Sequence, residues 1–228
     1  MKNKILSFLA LAITAISCEK DDNPTPPPVP DKYMSYTAGS TWNYEVINNV
    51  PVPPVTSVFT LTSTSKDSTS NGRVYHVFTN SSGANEYYNL TGNDYYNFRT
   101  LSAALGGSSI ETNYLKDNAA VGATWAQSFP VVASGFALNI TLTGTITEKG
   151  ISKTVKGTTY NDVIHVTTVM TISVGGVPLP AAALVTDIQS FYSPKFGMIQ
   201  TVNKINLNYA GIVDRTDQLT SLISATIK

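Results

Sequence analysis

The chain predicts an all-β fold with at most one or two short helical turns, and three observations lead there. Apolar residues alternate with polar ones along several segments, helical periodicity is absent over any long window, and glycines punctuate the alternating runs. The clearest segment is Phe136, Leu138, Ile140, Leu142 and Ile146, interleaved with Ala137, Asn139, Thr141, Thr143, Thr145 and Thr147. One face of that strand is apolar and the other is largely threonine. Gly144 falls on the apolar face and is expected to mark a bend or bulge. Ile164, Val166, Met170, Ile172 and Val174 repeat the pattern around His165, Thr167, Thr171 and Ser173, and Gly150 and Gly175-Gly176 are expected to close these strands. Ile199, Thr201, Asn203, Ile205, Leu207 and Tyr209 form a less apolar set. Only Leu101 to Leu105 and Leu179 to Leu184 suit a helical turn.

One hairpin is predicted with its register. Thr91-Gly92-Asn93 separates two strand-like runs, and a two-residue turn at Gly92-Asn93 puts glycine where a positive φ is needed. Leu90 then faces Tyr95, Tyr88 faces Asn97, Tyr87 faces Phe98 and Glu86 faces Arg99. The aromatic and opposite-charge pairs favour this register by roughly 0.2–1 kcal/mol each.

The N-terminus carries its own instructions. Lys2 and Lys4 precede a mostly apolar run, Ile5 to Ile16, which is too short to span a bilayer as a helix. Ala15-Ile16-Ser17-Cys18 resembles the bacterial lipobox, so residues 1–17 read as a lipoprotein signal peptide and Cys18 as the acylated, membrane-anchoring residue. Cys18 is the only cysteine, which excludes an internal disulfide and a multi-cysteine metal site. Lys20-Asp21-Asp22, after Glu19, resembles the surface-export signal of Bacteroidetes lipoproteins. That likeness implies an outer-membrane, lipid-anchored chain facing the cell exterior. Residues 18–32 include Pro-Thr-Pro-Pro-Pro-Val-Pro and read as a semi-rigid tether; residues 33–228 read as one β-rich domain.

Charge narrows the partners. The full chain has 15 basic and 15 acidic residues, and loss of Lys2 and Lys4 with the signal peptide leaves a slight negative excess. No basic run exists, so nucleic acid is not an expected partner. The membrane is expected through the lipid, with a glycan, an apolar small molecule or another envelope protein as possible further partners.

Catalytic signals are sparse. The chain has no G-x-S-x-G, H-E-x-x-H or phosphate-binding glycine loop, no calcium-loop spacing and no zinc-ligand spacing. His76 and His165 are expected as strand histidines. No catalytic residue, cofactor or metal is therefore assigned. A glycan hydrolase stays open as an alternative, because its two carboxylates can be distant in sequence. The aromatics Tyr87, Tyr88, Tyr95, Tyr96 and Phe98 are the candidate ligand-binding group. They either pack across the hairpin or present a stacking face for sugar rings or an apolar ligand. Asp67-Ser68-Thr69 reads either as a polar turn or as a site resembling the Bacteroidetes O-glycosylation acceptor.

Three motifs carry a resemblance to one family. Tyr36-Thr37-Ala38-Gly39-Ser40-Thr41-Trp42-Asn43-Tyr44 resembles the "G-x-x-W-x-Y" opening of a broad, uncharacterised group of β-rich bacterial envelope lipoproteins. Tyr160-Asn161-Asp162-Val163-Ile164-His165-Val166 is similar to its "y-x-D-V-i-x-V" strand. Phe191 to Ile199 resembles its "y-a-p-G-v-G-l-V" hairpin, with Lys195 in place of the first glycine. The resemblance implies a strongly curved antiparallel sheet, a half-barrel or open barrel akin to Lol-type lipoprotein carriers, which hold acyl chains in the hollow. The opening motif recurs in part as Gly122-Ala123-Thr124-Trp125, either as a duplicated half or as two independent strand starts.

From these features the expected function is a non-catalytic, lipid-anchored binding or structural module. The alternatives are a carrier or sensor of an apolar ligand or lipid in the hollow of the sheet, and the glycan-acting hydrolase.

Overall fold

The computed structural model describes residues 32–228, so Cys18, Lys20, Asp21 and Asp22 lie outside the described residues. Strand accounts for 71% of the fold and helix for 2%, in an antiparallel sheet nearly closed into a barrel. The strands are β1 (Thr41–Asn48), β2 (Val55–Ser70), β3 (Arg73–Asn80), β4 (Glu86–Thr91), β5 (Asp94–Thr100), β6 (Ser109–Lys116), β7 (Thr124–Ala133), β8 (Phe136–Val155), β9 (Thr158–Val174), β10 (Val177–Pro178), β11 (Leu184–Ser193), β12 (Gly197–Tyr209) and β13 (Ile212–Thr226). A 3-10 turn, Ala103–Leu105, precedes β6; residues 181–183 form a turn instead of a helix, and Leu184 already opens β11.

Two meanders make the wall. The strand order is β6-β5-β4-β3-β2-β1-β13-β12-β11-β9-β8-β7, with β10 paired only to β9. No ladder joins the outer strands β6 and β7 among the described residues, and side chains bridge that seam. The Asn113 amide N–H donates to Gln127 Oε1 at 2.6 Å, and Trp125 Nε1–H donates to the Asn113 carbonyl at 2.8 Å. Pro130 lies within β7 and has no N–H to offer a neighbour, which blunts this edge.

The predicted hairpin register is observed: Tyr88 pairs with Asn97, Asn89 with Tyr96, Leu90 with Tyr95 and Thr91 with Asp94. The ladder stops before Glu86 and Arg99, which make no ion pair. Glu86 instead accepts from Asn80 Nδ2 at 2.7 Å and from the Tyr88 hydroxyl at 2.6 Å.

Two glycines act differently from expectation. Gly144 pairs regularly with Trp125 and Thr168, so it marks no bulge. Its missing side chain makes room for an indole: a Cβ there would lie 2.7 Å from Trp125 Cε2. Gly150 does not end its strand either. β8 continues to Val155 through irregularities between Ile146 and Lys153, and Gly150, at φ 72°, supplies a conformation that a bulge needs. Gly175-Gly176 do form the turn that ends β9. Asp67-Ser68-Thr69 lies inside β2 and is not a turn.

Inward-facing side chains form two cores. One is aromatic-rich and gathers Trp42, Tyr44, Phe78, Tyr95, Ile164 and Tyr192 with Met34. Its end is crossed by the entering chain: Tyr33 N–H donates to the Tyr95 hydroxyl at 3.0 Å, and the Tyr33 hydroxyl donates to the Asp162 carbonyl at 2.8 Å. The other core is aliphatic and holds Leu105, Leu138, Ile140, Met170, Ile172, Leu207 and Ile212.

Candidate functional site

Along the strands of the second meander, the inward row changes character between the two cores. On β9, Ile172 and Met170 belong to the aliphatic core and Val166 and Ile164 to the aromatic one, with Thr168 between them. On β13, Ile212 and Leu222 sit in the two cores, while Asp214, Thr216 and Gln218 lie between. On β8, Leu142 and Gly144 separate Ile140 from Ile146. Eight-stranded barrels are just wide enough to be filled by their own side chains, and diameter grows with strand number. Short residues at the waist of a wider barrel therefore leave space. A hollow of about 280 Å³ lies there, walled by the 3-10 segment on one side and by β8, β9, β11, β12 and β13 on the other. Leu101, Leu105, Leu142, Met170, Ile188 and Ile205 supply its apolar wall; Thr168, Asn203, Asp214, Thr216 and Gln218 supply polar atoms.

Arg99 enters this space from β5. Its inward neighbours Tyr95 and Asn97 lead from the aromatic core to the hollow. Arg99 borders the 280 Å³ hollow and two smaller ones of about 40 and 30 Å³. It remains solvent-accessible, so the waist of the barrel is open to water. Among the described residues it has no ion pair and no hydrogen bond. The nearby carboxylates are otherwise engaged: Glu86 as described above, and Asp214 by the Ser102 hydroxyl at 2.8 Å. Burial and then Glu86 push the Tyr88 phenol pKa well up, and the Arg99 charge opposes that rise. Burial likewise raises Tyr192, again against Arg99.

The five hairpin aromatics divide between the two faces of the sheet, as a period of two requires. Tyr88 and Tyr95 face the aromatic core. Tyr87, Tyr96 and Phe98 lie on the outside, half-buried. There Phe98 meets Tyr75 at 4.8 Å and Tyr87 at 6.4 Å between ring centroids, and the Arg73 guanidinium lies 3.6 Å above the Tyr96 ring. Arg73 and the Tyr75 hydroxyl both bond Glu111. The outer row is thus largely packed on itself.

A relay that sequence reading missed joins β2 and β3. Ser63 Oγ lies 2.9 Å from His76 Nε2, and His76 Nδ1 lies 3.0 Å from Asp67 Oδ1. The order is that of a hydrolytic triad, but the surroundings are not. Ser63 is 2% exposed, and its hydroxyl also reaches the Tyr36 carbonyl at 3.0 Å. Tyr36 stands edge-on to His76 at 5.6 Å. The relay therefore faces packed protein and fastens the segment before β1 to the β2–β3 hairpin. No sequence signal announced it, because the register shift between Ser63 and Asp67 brings the carboxylate opposite His76. On the outer face, His165 Nδ1 pairs with Glu148 Oε2 at 2.9 Å and its ring stacks on Phe191 at 4.1 Å. Among the described residues, no cluster of three or more His, Cys, Asp or Glu side chains is placed to hold a metal ion.

No protein-family model matches the chain, and neither does any curated protein. Among solved structures, it is similar to a candidate lipoprotein from Parabacteroides distasonis, with 12% identity and a TM-score of 0.52 over 87% of this chain and 100% of that one. A candidate exported protein with YmcC-like fold from Bacteroides fragilis aligns at 7% identity and a TM-score of 0.48, over 86% of this chain and 99% of that one. At 12% identity the first likeness is one of fold.

Proposed function

We propose that the chain is a non-catalytic envelope lipoprotein, anchored through Cys18, that binds a small apolar ligand in the waist of its barrel. The observation that carries this reading is the water-accessible hollow between two filled cores. Ligand sites are typically concave, mostly apolar and equipped with a few convergent polar groups. At about 280 Å³ the hollow lies just below the usual range of roughly 300–1,000 Å³ for small-molecule pockets. Side chains pack both ends of the barrel, which weighs against a carrier enclosing a whole diacyl lipid. The glycan-hydrolase alternative finds less support, since the hollow is bordered by one carboxylate, Asp214, already bonded to Ser102.

The anchor is supported by the Ala15-Ile16-Ser17-Cys18 motif and by a fold shared with a structure named as a candidate lipoprotein. Lys20-Asp21-Asp22 supports the exterior face of the outer membrane as its place.

Two measurements test the reading. Metabolic labelling with an alkynyl fatty acid should mark the wild-type chain and leave Cys18→Ala unmarked; equal labelling contradicts the anchor. Native mass spectrometry should detect bound decanol on the wild type. Thr168→Trp, which places an indole in the hollow, should remove it; undiminished binding contradicts the site.

A further inference from the structure

We infer that the ligand of the barrel waist is an anionic amphiphile, a medium-chain carboxylate whose head group pairs with Arg99 while its chain lies along the apolar wall. This deepens the reading of the hollow as the binding site and rests on it. Arg99 is exposed at the edge of the hollow, where water hydrates a guanidinium that lacks, among the described residues, both a protein ion-pair partner and a protein hydrogen bond, and a bound anion would take the place of that water. It lacks them although Glu86 stands next along the inward row and Asp214 borders the same hollow. Asn80 and Tyr88 hold Glu86, and Ser102 holds Asp214. Both nearby carboxylates are thus turned to other donors, and Arg99 borders all three hollows.

Geometry and volume define the ligand class. A planar guanidinium takes a carboxylate through two parallel hydrogen bonds. Leu101, Leu105, Leu142, Met170 and Ile188 supply the apolar wall of the same hollow. A space of about 280 Å³ holds roughly nine groups of water size at ~30 Å³ each, which suits a chain of about eight to ten carbons. A cationic head would meet Arg99 at the mouth and be repelled. A neutral alcohol would fill the same wall and leave the guanidinium unpaired.

The test compares three probes of equal chain length on the full chain by isothermal titration calorimetry: decanoate, decanol and decyltrimethylammonium. Decanoate is expected to bind about tenfold or more tighter than decanol, the margin typical of a hydrogen bond to a charged group. Decyltrimethylammonium should bind weakest. Arg99→Gln should reduce decanoate to the affinity of decanol and leave decanol within about twofold, and Arg99→Lys should restore part of the preference. Circular dichroism of both variants checks that they fold. Equal binding of acid and alcohol, an Arg99→Gln variant that keeps the preference, or tighter binding of the cation would overturn the head-group assignment and leave the waist as a site. Failure of all three probes to bind, or binding undiminished in Thr168→Trp, would overturn the site itself.

Discussion

Gly39 and Gly122 introduce the two meanders with the same pair of hydrogen bonds. Gly39 N–H donates to the Ser63 carbonyl and Ser63 N–H to the Ser40 carbonyl; Gly122 N–H donates to the Ile146 carbonyl and Ile146 N–H to the Ala123 carbonyl. Both glycines have positive φ, at 83° and 86°, and each precedes a strand bearing an inward tryptophan. The repeated motif therefore marks a repeated structural start. Beyond it the halves are filled differently. The first sends Trp42, Tyr44, Phe78, Tyr88 and Tyr95 inward, long rings that close one end. The second adds Tyr160 and Tyr192 to that end but lines the other with aliphatic residues, and Thr168 and Thr216 between them are too short to reach across the barrel. The hollow lies against the second half because of that shortfall. Shared backbone geometry and unequal side-chain reach together place the hollow.

The largest test of this contrast is alkaline titration. Tyr36, Tyr44, Tyr88, Tyr114 and Tyr192 all have phenol pKa values raised primarily by burial, and four of them belong to the first half. Tyr33 is pushed up to about 12, by burial first and then by Asp162 and Asp117. Below pH ~10 both folded and unfolded chains keep these protons. Above it the unfolded chain releases them while the folded chain holds them, so stability falls as pH rises. Each fully suppressed phenol contributes a loss of about 1.4 kcal/mol per pH unit. Several such groups outweigh a typical stability of ~5–15 kcal/mol within a few units. Absorbance at 295 nm should thus rise cooperatively with loss of circular dichroism above pH ~10; gradual ionisation with intact dichroism would refute the packed aromatic end.

Tryptophan truncation comes next. Trp42 is 0% exposed, and Trp42→Ala should cost about 3–5 kcal/mol in urea unfolding. Trp125 is only partly buried, so Trp125→Ala should cost less. Its distinctive effect should be faster hydrogen exchange at the Asn113 end of the seam. Gly144→Val should cost about 1–3 kcal/mol, because its Cβ meets the Trp125 indole at 2.7 Å, and should shift the Trp125 emission. The smallest effect separates the two histidine pairs. Ser63→Ala should cost about 0.5–1.5 kcal/mol by removing a buried hydrogen bond, whereas Glu148→Gln, on a carboxylate side chain 53% exposed, should change stability by less than about 1 kcal/mol.

Alternation made the strands, their inward faces and the Gly92-Asn93 register legible, because apolar burial with a period of two leaves a direct imprint on sequence. Barrel curvature was legible only through the motif resemblance. Gly150 was misread as a strand end, since the same residue type serves a turn and a bulge. The Glu86–Arg99 pairing was expected from opposition across strands, but Asn80, an inward residue of the neighbouring β3, competes for the carboxylate. Tyr87 and Tyr88 resemble one another in sequence, and the pleat sends them to opposite faces. The hollow itself has no sequence signature. It arises where Thr168 and Thr216, on two strands of the second meander, fall short between the two cores.

The central claim is that a ligand occupies the waist and not the aromatic end or the outer row. Methyl-labelled methionine separates these places, because Met170 lines the hollow while Met34 sits in the aromatic core. Titration with decanoate should move the Met170 methyl resonance and leave Met34 in place. A Met34 shift without a Met170 shift, or saturable binding that moves neither, would contradict the account.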